Sequence, residues 1–163
     1  MNKEMYEQLN RQIAEEFKSA YIYLSMASDF DSRGLKGMSS WMEEQAKEEV
    51  NHGMKIFRYL QERGEKPVLE VIDKPADSYS SPREAFEAAY KHEKYITGCI
   101  HSLVKKARQT EDTAAEVFLH WFVEEQVEEE ASAAEVLDKL EMVEKSPNGL
   151  YMLDRELGQR GAS

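Results

Sequence analysis

Cysteine is nearly missing from this chain: Cys99 stands alone among 163 residues, so no internal disulfide is available and a reducing compartment is expected. Long apolar runs are missing too. Nothing approaches the roughly 20 consecutive apolar residues that a spanning helix needs, so no membrane partner is expected. The stretch from Met1 to Gln8 is polar, without the apolar segment of a secretory leader, and a cytoplasmic location is expected. Cations are outnumbered: 21 Lys and Arg face 32 Asp and Glu, a net charge of −11 that repels nucleic-acid phosphates. Such acidity attracts divalent cations, but it also simply keeps a protein soluble, so total charge defines no site.

Glycine and proline are sparse, and they cluster at breaks. Gly34 and Gly37 mark one, Gly64 a second, Pro67 to Pro82 a long third, and Pro147 with Gly149 a fourth. Between them the apolar residues recur at helical spacing, which predicts helices over 3–33, 37–64, 82–110 and 112–145, with a short fifth over 147–159. The length suits one domain, 1–163, in which residues 3–145 form an all-α four-helix bundle. The helix ends carry their own signals. Ser81-Pro82-Arg83-Glu84 is a capping box with proline in the first turn, Ser146-Pro147 starts the last helix alike, and Gly64 reads as a left-handed cap.

Short links make helices one and two, and three and four, antiparallel neighbours. The connection from Glu65 to Ser81 is too long for a compact loop and is expected to cross over along the bundle. Its segment Val68-Leu69-Glu70-Val71-Ile72 is apolar and extended in character. Two readings stay open for it: pairing with another chain, or covering the bundle's side.

The core stripes turn polar only near their middles. Helix one runs Leu9, Ile13, Glu16, Ala20, Tyr23; helix two Met42, Gln45, Glu49, His52, Ile56; helix three Ala89, Glu93, Ile96; helix four Phe122, Gln126, Glu129, Ala133. The interruptions form two sets, Glu16, Glu49, His52 and Glu93, Gln126, Glu129, each member of the second lying 77 positions after its counterpart. Buried carboxylates are costly unless neutralised, and no lysine or arginine shares these stripes. A network of neutral acids around His52 and Gln126 is the alternative, but four Glu with one base are poorly matched for it. Two divalent ions balance four carboxylates. Oxygen donors with one imidazole suit iron, manganese or zinc, and Glu49 is placed to bridge. Glu48 and Glu125 repeat the same offset. With Glu128 and Glu129 they form either a further cation site or a solvated acidic face. Tyr23 and Trp121 flank the layer, as redox-active rings or as packing.

These residues resemble the non-haem ferritins of bacteria and archaea over nearly the whole chain. The resemblance is carried by Leu9-Asn10-Arg11-Gln12 leading to Glu16 and Tyr23, by Glu48-Glu49-Val50-Asn51-His52, by Tyr90-Lys91-His92-Glu93, and by Trp121 through Glu130; Gly149 to Leu157 is similar to that family's fifth helix. It implies a ferritin-like bundle with one long crossover and a short C-terminal helix, assembled as a hollow homo-oligomer of 24 subunits. It implies a ferroxidase centre with two iron ions per subunit. Glu16, Glu49 and His52 would hold the first iron, with Gln126 nearby, and Glu49, Glu93 and Glu129 the second. Tyr23 would stand beside the centre, and Glu48, Glu125, Glu128 and Glu129 would form a third iron site. Fe(II) and O2 or peroxide are then the substrates, and the ferric product is stored as mineral. Gln126 and Glu129 stand where bacterioferritin-like proteins carry a second Glu-x-x-His, and Met54 does not match their haem ligand, so no haem is expected. No Cys-x-x-Cys pair is present for a rubredoxin-type domain. An oxygen-handling di-metal enzyme without storage, and a divalent-ion buffer without redox chemistry, remain the alternatives.

Overall fold

A computed structural model describes residues 1–161. Five helices carry it: α1 (Lys3–Ser32), α2 (Lys36–Glu62), α3 (Pro82–Gln109), α4 (Thr113–Val143) and α5 (Pro147–Leu157). Each lies within about two residues of its predicted span at either end. No helix among the described residues is long and apolar enough to cross a membrane.

The ends close by the expected chemistry. Ser81 accepts from the Glu84 amide at 3.1 Å and Ser146 from the Gly149 amide at 3.1 Å. Glu84 reaches back one residue further than a standard box, accepting from the Ser80 amide rather than that of Ser81. After α2 the chain reverses through Gly64 at φ 75°, a conformation that costs glycine nothing.

Two hairpins, α1–α2 and α3–α4, pack as a bundle with α1 against α3. Phe30 lies against Phe86 at one end and Lys106 pairs with Glu4 at the other, so α1 and α3 run antiparallel. Residues 63–81 form the crossover, which α1 holds along its length. Tyr6 donates to the Lys66 carbonyl at 2.7 Å, and the Val68 amide donates to Asn10 at 2.7 Å. Further along, Ser25 donates to the Ala76 carbonyl, the Tyr79 amide donates to Asp29 at 3.1 Å, and Arg33 donates to the Tyr79 carbonyl. These side chains replace the backbone partners that an isolated extended segment lacks. Val68, Leu69 and Val71 nonetheless point outward, Val71 at 91% exposure, so they do not cover the bundle's side.

The core falls into two apolar clusters. One gathers Tyr23, Met26, Phe30, Met42, Trp41, Phe86 and Leu140; the other gathers Leu9, Ile13, Ile56, Leu60, Ile96, Ile100, Leu119 and Phe122. The buried polar residues Glu16, Glu49, His52, Glu93, Gln126 and Glu129 lie between them in sequence along every helix.

Helix α5 packs against α2 and α4, with Leu153 and Leu157 joining the first cluster beside Trp41. It also supplies a cap that α2 lacks. Leu35, at the N-cap, offers no side-chain oxygen; instead Asp154 accepts from the Met38 amide at 2.8 Å and the Gly37 amide at 3.2 Å. This carboxylate at a helix N-terminus satisfies orphan amides and complements the dipole. The approach needs glycine, because a Cβ at Gly37 would sit 1.6 Å from the Asp154 carbonyl oxygen.

Asp154→Ala is therefore expected to cost about 1 kcal/mol, as other cap removals do. Gly37→Ala should cost more and push α5 away. Thermal unfolding measures both. In a Trp121→Phe background, a red shift of Trp41 emission in Gly37→Ala reports the detachment, and an unshifted spectrum counts against this docking.

Candidate metal centre

The polar layer forms because each helix substitutes one or two polar side chains at core positions of an otherwise apolar stripe. α1 contributes Glu16, α2 Glu49 and His52 one turn apart, α3 Glu93, and α4 Gln126 and Glu129 one turn apart. All four carboxylates are at most 5% exposed. They meet in two groups that share a member: donor atoms of Glu16, Glu49 and His52 lie within 4.8 Å of one another, as do those of Glu49, Glu93 and Glu129. His52 Nδ1 is 3.4 Å from Glu49 and 3.8 Å from Glu16.

The donor set has the character of a metal site. Glu16 Oε2 is buried without a hydrogen-bond partner, an acceptor that nothing on the protein uses. The remaining lone pairs converge, so a cation between them would take up contacts that the protein leaves unmade. Glu49 is the one residue common to both groups, and Glu16, His52, Glu93 and Glu129 each belong to only one of these two.

The acids resist ionisation in the metal-free protein. Burial is the main cause for each. Glu16 is raised well above the usual carboxylate range by burial and then by Glu49; Glu49 by burial and then by Glu93 and Glu129. Burial also raises Glu93, against the hydrogen bonds from Tyr23 and Gln126, and Glu129 is pushed up to about 8 by burial and Glu93. Tyr23 donates its phenol proton to Glu93, and burial followed by that carboxylate raises the phenol well above its ordinary value. Tyr23 is thus a neutral donor fixed at the edge of the layer.

Gln126 makes its contacts with a member of the second group. Its amide donates to the Glu93 carboxylate at 3.1 Å and the Glu93 carbonyl at 3.2 Å, placing it against the second group rather than the first. The further acidic set is only partly gathered. Glu125 comes within 3.6 Å of His52 Nε2, and His52, Glu125 and Glu129 form a third group of donors. Glu48 instead pairs with Arg160 at 3.0 Å, and Glu128 points to solvent. Successive helical residues point roughly 100° apart, so the buried Glu129 turns its neighbour outward. Trp121 is edge-on to His52 with ring centroids 5.4 Å apart, and the Lys55 ammonium lies over its face at 4.0 Å.

Two glutamines complete the layer. Gln12 donates to Glu16 at 2.8 Å, and Gln45 donates to Glu49 at 3.0 Å and Glu129 at 2.5 Å. Neither belongs to the 77-residue repeat, whose counterparts are Ala89 and Phe122. The signal that would have found them is local: each stands four residues before a site glutamate, on the same helix face.

A bundle with one long crossover and two overlapping carboxylate groups at mid-height has the architecture of the ferritin-like helical bundles. Comparison narrows the class. Residues 6–143 match the family model of the ferritin-like domain, and the chain belongs to the ferritin family. A probable bacterial non-haem ferritin-like protein of Haemophilus influenzae is 41% identical over 92% of this chain and 91% of its own. The bacterial non-haem ferritin of Staphylococcus saprophyticus is 37% identical over 98% and 96%. Among solved structures, an open pore ferritin of the hyperthermophilic archaeon Archaeoglobus fulgidus superposes with a TM-score of 0.96 at 48% identity, covering 97% of this chain and 98% of that one.

Protons and metal compete for this layer, which fixes a pH dependence. Carboxyls whose folded pKa exceeds the unfolded value of 4.5 add stability that is complete below pH 4.5 and lost as pH rises through the folded value, about 8 for Glu129. The metal-free protein should therefore lose stability from pH 4.5 to about 8, and Glu129→Gln should flatten that decline. Denaturant melts at stepped pH test this. Metal added at pH 7 should release protons, read by calorimetry in buffers of different ionisation heat.

Proposed function

We propose that this protein oxidises Fe(II) at the α1–α4 layer and stores the ferric product as mineral inside a hollow shell of 24 copies. The observation that carries this reading is the pair of donor groups sharing Glu49, with one imidazole on one side only. Glu16, Glu49 and His52 receive one Fe(II); Glu49, Glu93 and Glu129 receive the other. The two ions neutralise the four carboxylates, which is what makes a dry site of this composition tolerable.

Two adjacent Fe(II) ions supply two electrons together, enough to reduce O2 to peroxide, or peroxide to water, without releasing one-electron products. The residues prepare the event rather than carry the electrons. Carboxylate charge favours Fe(III) over Fe(II), because an anionic ligand set stabilises the higher charge. Gln126 and Tyr23 hold Glu93, and Gln12 holds Glu16, so the ligands are oriented before iron arrives. Storage needs an enclosed volume larger than one bundle provides. The relatives named as ferritins, and the outward Val68, Leu69 and Val71 on the crossover, support assembly into such a shell.

On aerobic addition of Fe(II), near-ultraviolet absorbance should rise in a fast phase. Glu49→Ala should slow that phase roughly 100-fold, the upper end of what losing even an outer partner costs; an unchanged initial rate removes the bridge. Native mass, with iron counted per particle, decides storage: hundreds of iron atoms in a particle near half a megadalton support it, and a few per small oligomer leave only the oxidising site.

A further inference from the structure

The last described turn of the chain reaches back to the metal layer through one side chain. Arg160 follows α5 and lies over Trp41, its guanidinium carbon 4.4 Å from the ring centroid. From there it donates to Gln45 Oε1 at 2.8 Å and to Glu48 Oε2 at 3.0 Å. Gln45 is 1% exposed, and its other end donates to Glu49 and Glu129 at once. An arginine only donates, and a carboxylate that has given up its proton to hold a metal only accepts. The amide between them therefore has one orientation that satisfies both sides. Reversed, its oxygen would face two carboxylates and its N–H groups would face a cation.

We propose that Arg160 is a positioning residue for the metal centre: it grips Gln45 by its oxygen, so that the amide holds Glu49 and Glu129 in the arrangement that receives two ions. The bond to Glu48 is a half-exposed ion pair and contributes little by itself. The bond to Gln45 is different, because it is charge-assisted and ends on a buried amide. Polarised by the guanidinium, that amide is a stronger donor to both carboxylates. Glu49 belongs to both donor groups, so a slack Gln45 loosens both ions. The tail after α5 thus sets the affinity of a layer that none of its own side chains enters. This rests on the reading of the layer as a two-metal site, but not on redox chemistry or storage.

The test is a Co(II) titration of the full-length, metal-free protein, followed by the visible bands of bound Co(II). Wild type should take up two ions per chain. Arg160→Ala should weaken uptake about 10-fold and alter the band pattern, with native mass and helical content unchanged. Arg160→Lys, which offers a point donor in place of a planar fork, should recover part of the loss. The decisive measurement is a double-mutant cycle. If Arg160 acts through Gln45, then Arg160→Ala in a Gln45→Ala background should add no further weakening. Losses that multiply, or an Arg160→Ala titration superimposable on wild type, overturn the proposal. A wild-type protein that binds no Co(II) overturns the two-metal reading and this one with it, whereas one that binds Co(II) but leaves Fe(II) unoxidised overturns only the ferroxidase reading.

Discussion

Four carboxyl groups share a layer from which water is excluded, and the structure depends on how that is made bearable. Ionised and unpaired, the groups would cost far more than a domain's whole stability margin. Burial dominates the shift of every one of them, and so holds them toward the protonated form in the metal-free protein. Two divalent ions would resolve the conflict by charge. The rest of the bundle is arranged around that layer. An apolar cluster on each side keeps water out, and amide and phenol donors take lone pairs of the buried carboxylates.

The two hairpins are variations on one pattern, and the differences between them have chemical content. Where α2 has Glu49 and His52, α4 has Gln126 and Glu129. One donor group is therefore mixed nitrogen and oxygen, and the other all oxygen. The nitrogen side also faces Trp121 and Glu125, whereas the oxygen side faces Tyr23 and Gln126. Two ions in such a site would be inequivalent before any chemistry begins, in the charge and hardness of their ligands and in the aromatic group nearest to each.

The architecture was legible because helical periodicity is written in contiguous sequence. Polar interruptions such as Glu16 and Glu93 stand out against stripes that are otherwise apolar, and the constant offset pairs them across the hairpins. Features made by residues far apart in the chain left no such trace. Asp154 capping α2 joins positions 116 residues apart, and Arg160 holding Gln45 joins positions 115 apart. Nothing in the local pattern of either partner announces these contacts. The third acidic set is a run for which the sequence left two readings open. Glu128 fits the run of acids, but the rotation that buries Glu129 aims it outward. Gln126 was found as a site residue, while its partner Glu93 emerged only once α3 and α4 were packed.

The crossover works as a ruler laid along α1. Its main chain is fastened near Tyr6 and Asn10 at one end and near Asp29 and Arg33 at the other, so its span is tied to the helix beneath it. One extra turn in α1 would lengthen that helix by roughly 5.4 Å, which about two more extended residues of strap would have to match. An insertion between Tyr6 and Arg33 without that match would either tear the fastenings or slide Glu16 out of level with the other three carboxylates. Length variation among proteins built this way should therefore collect outside the fastened span and leave α1 and the strap to change only in step.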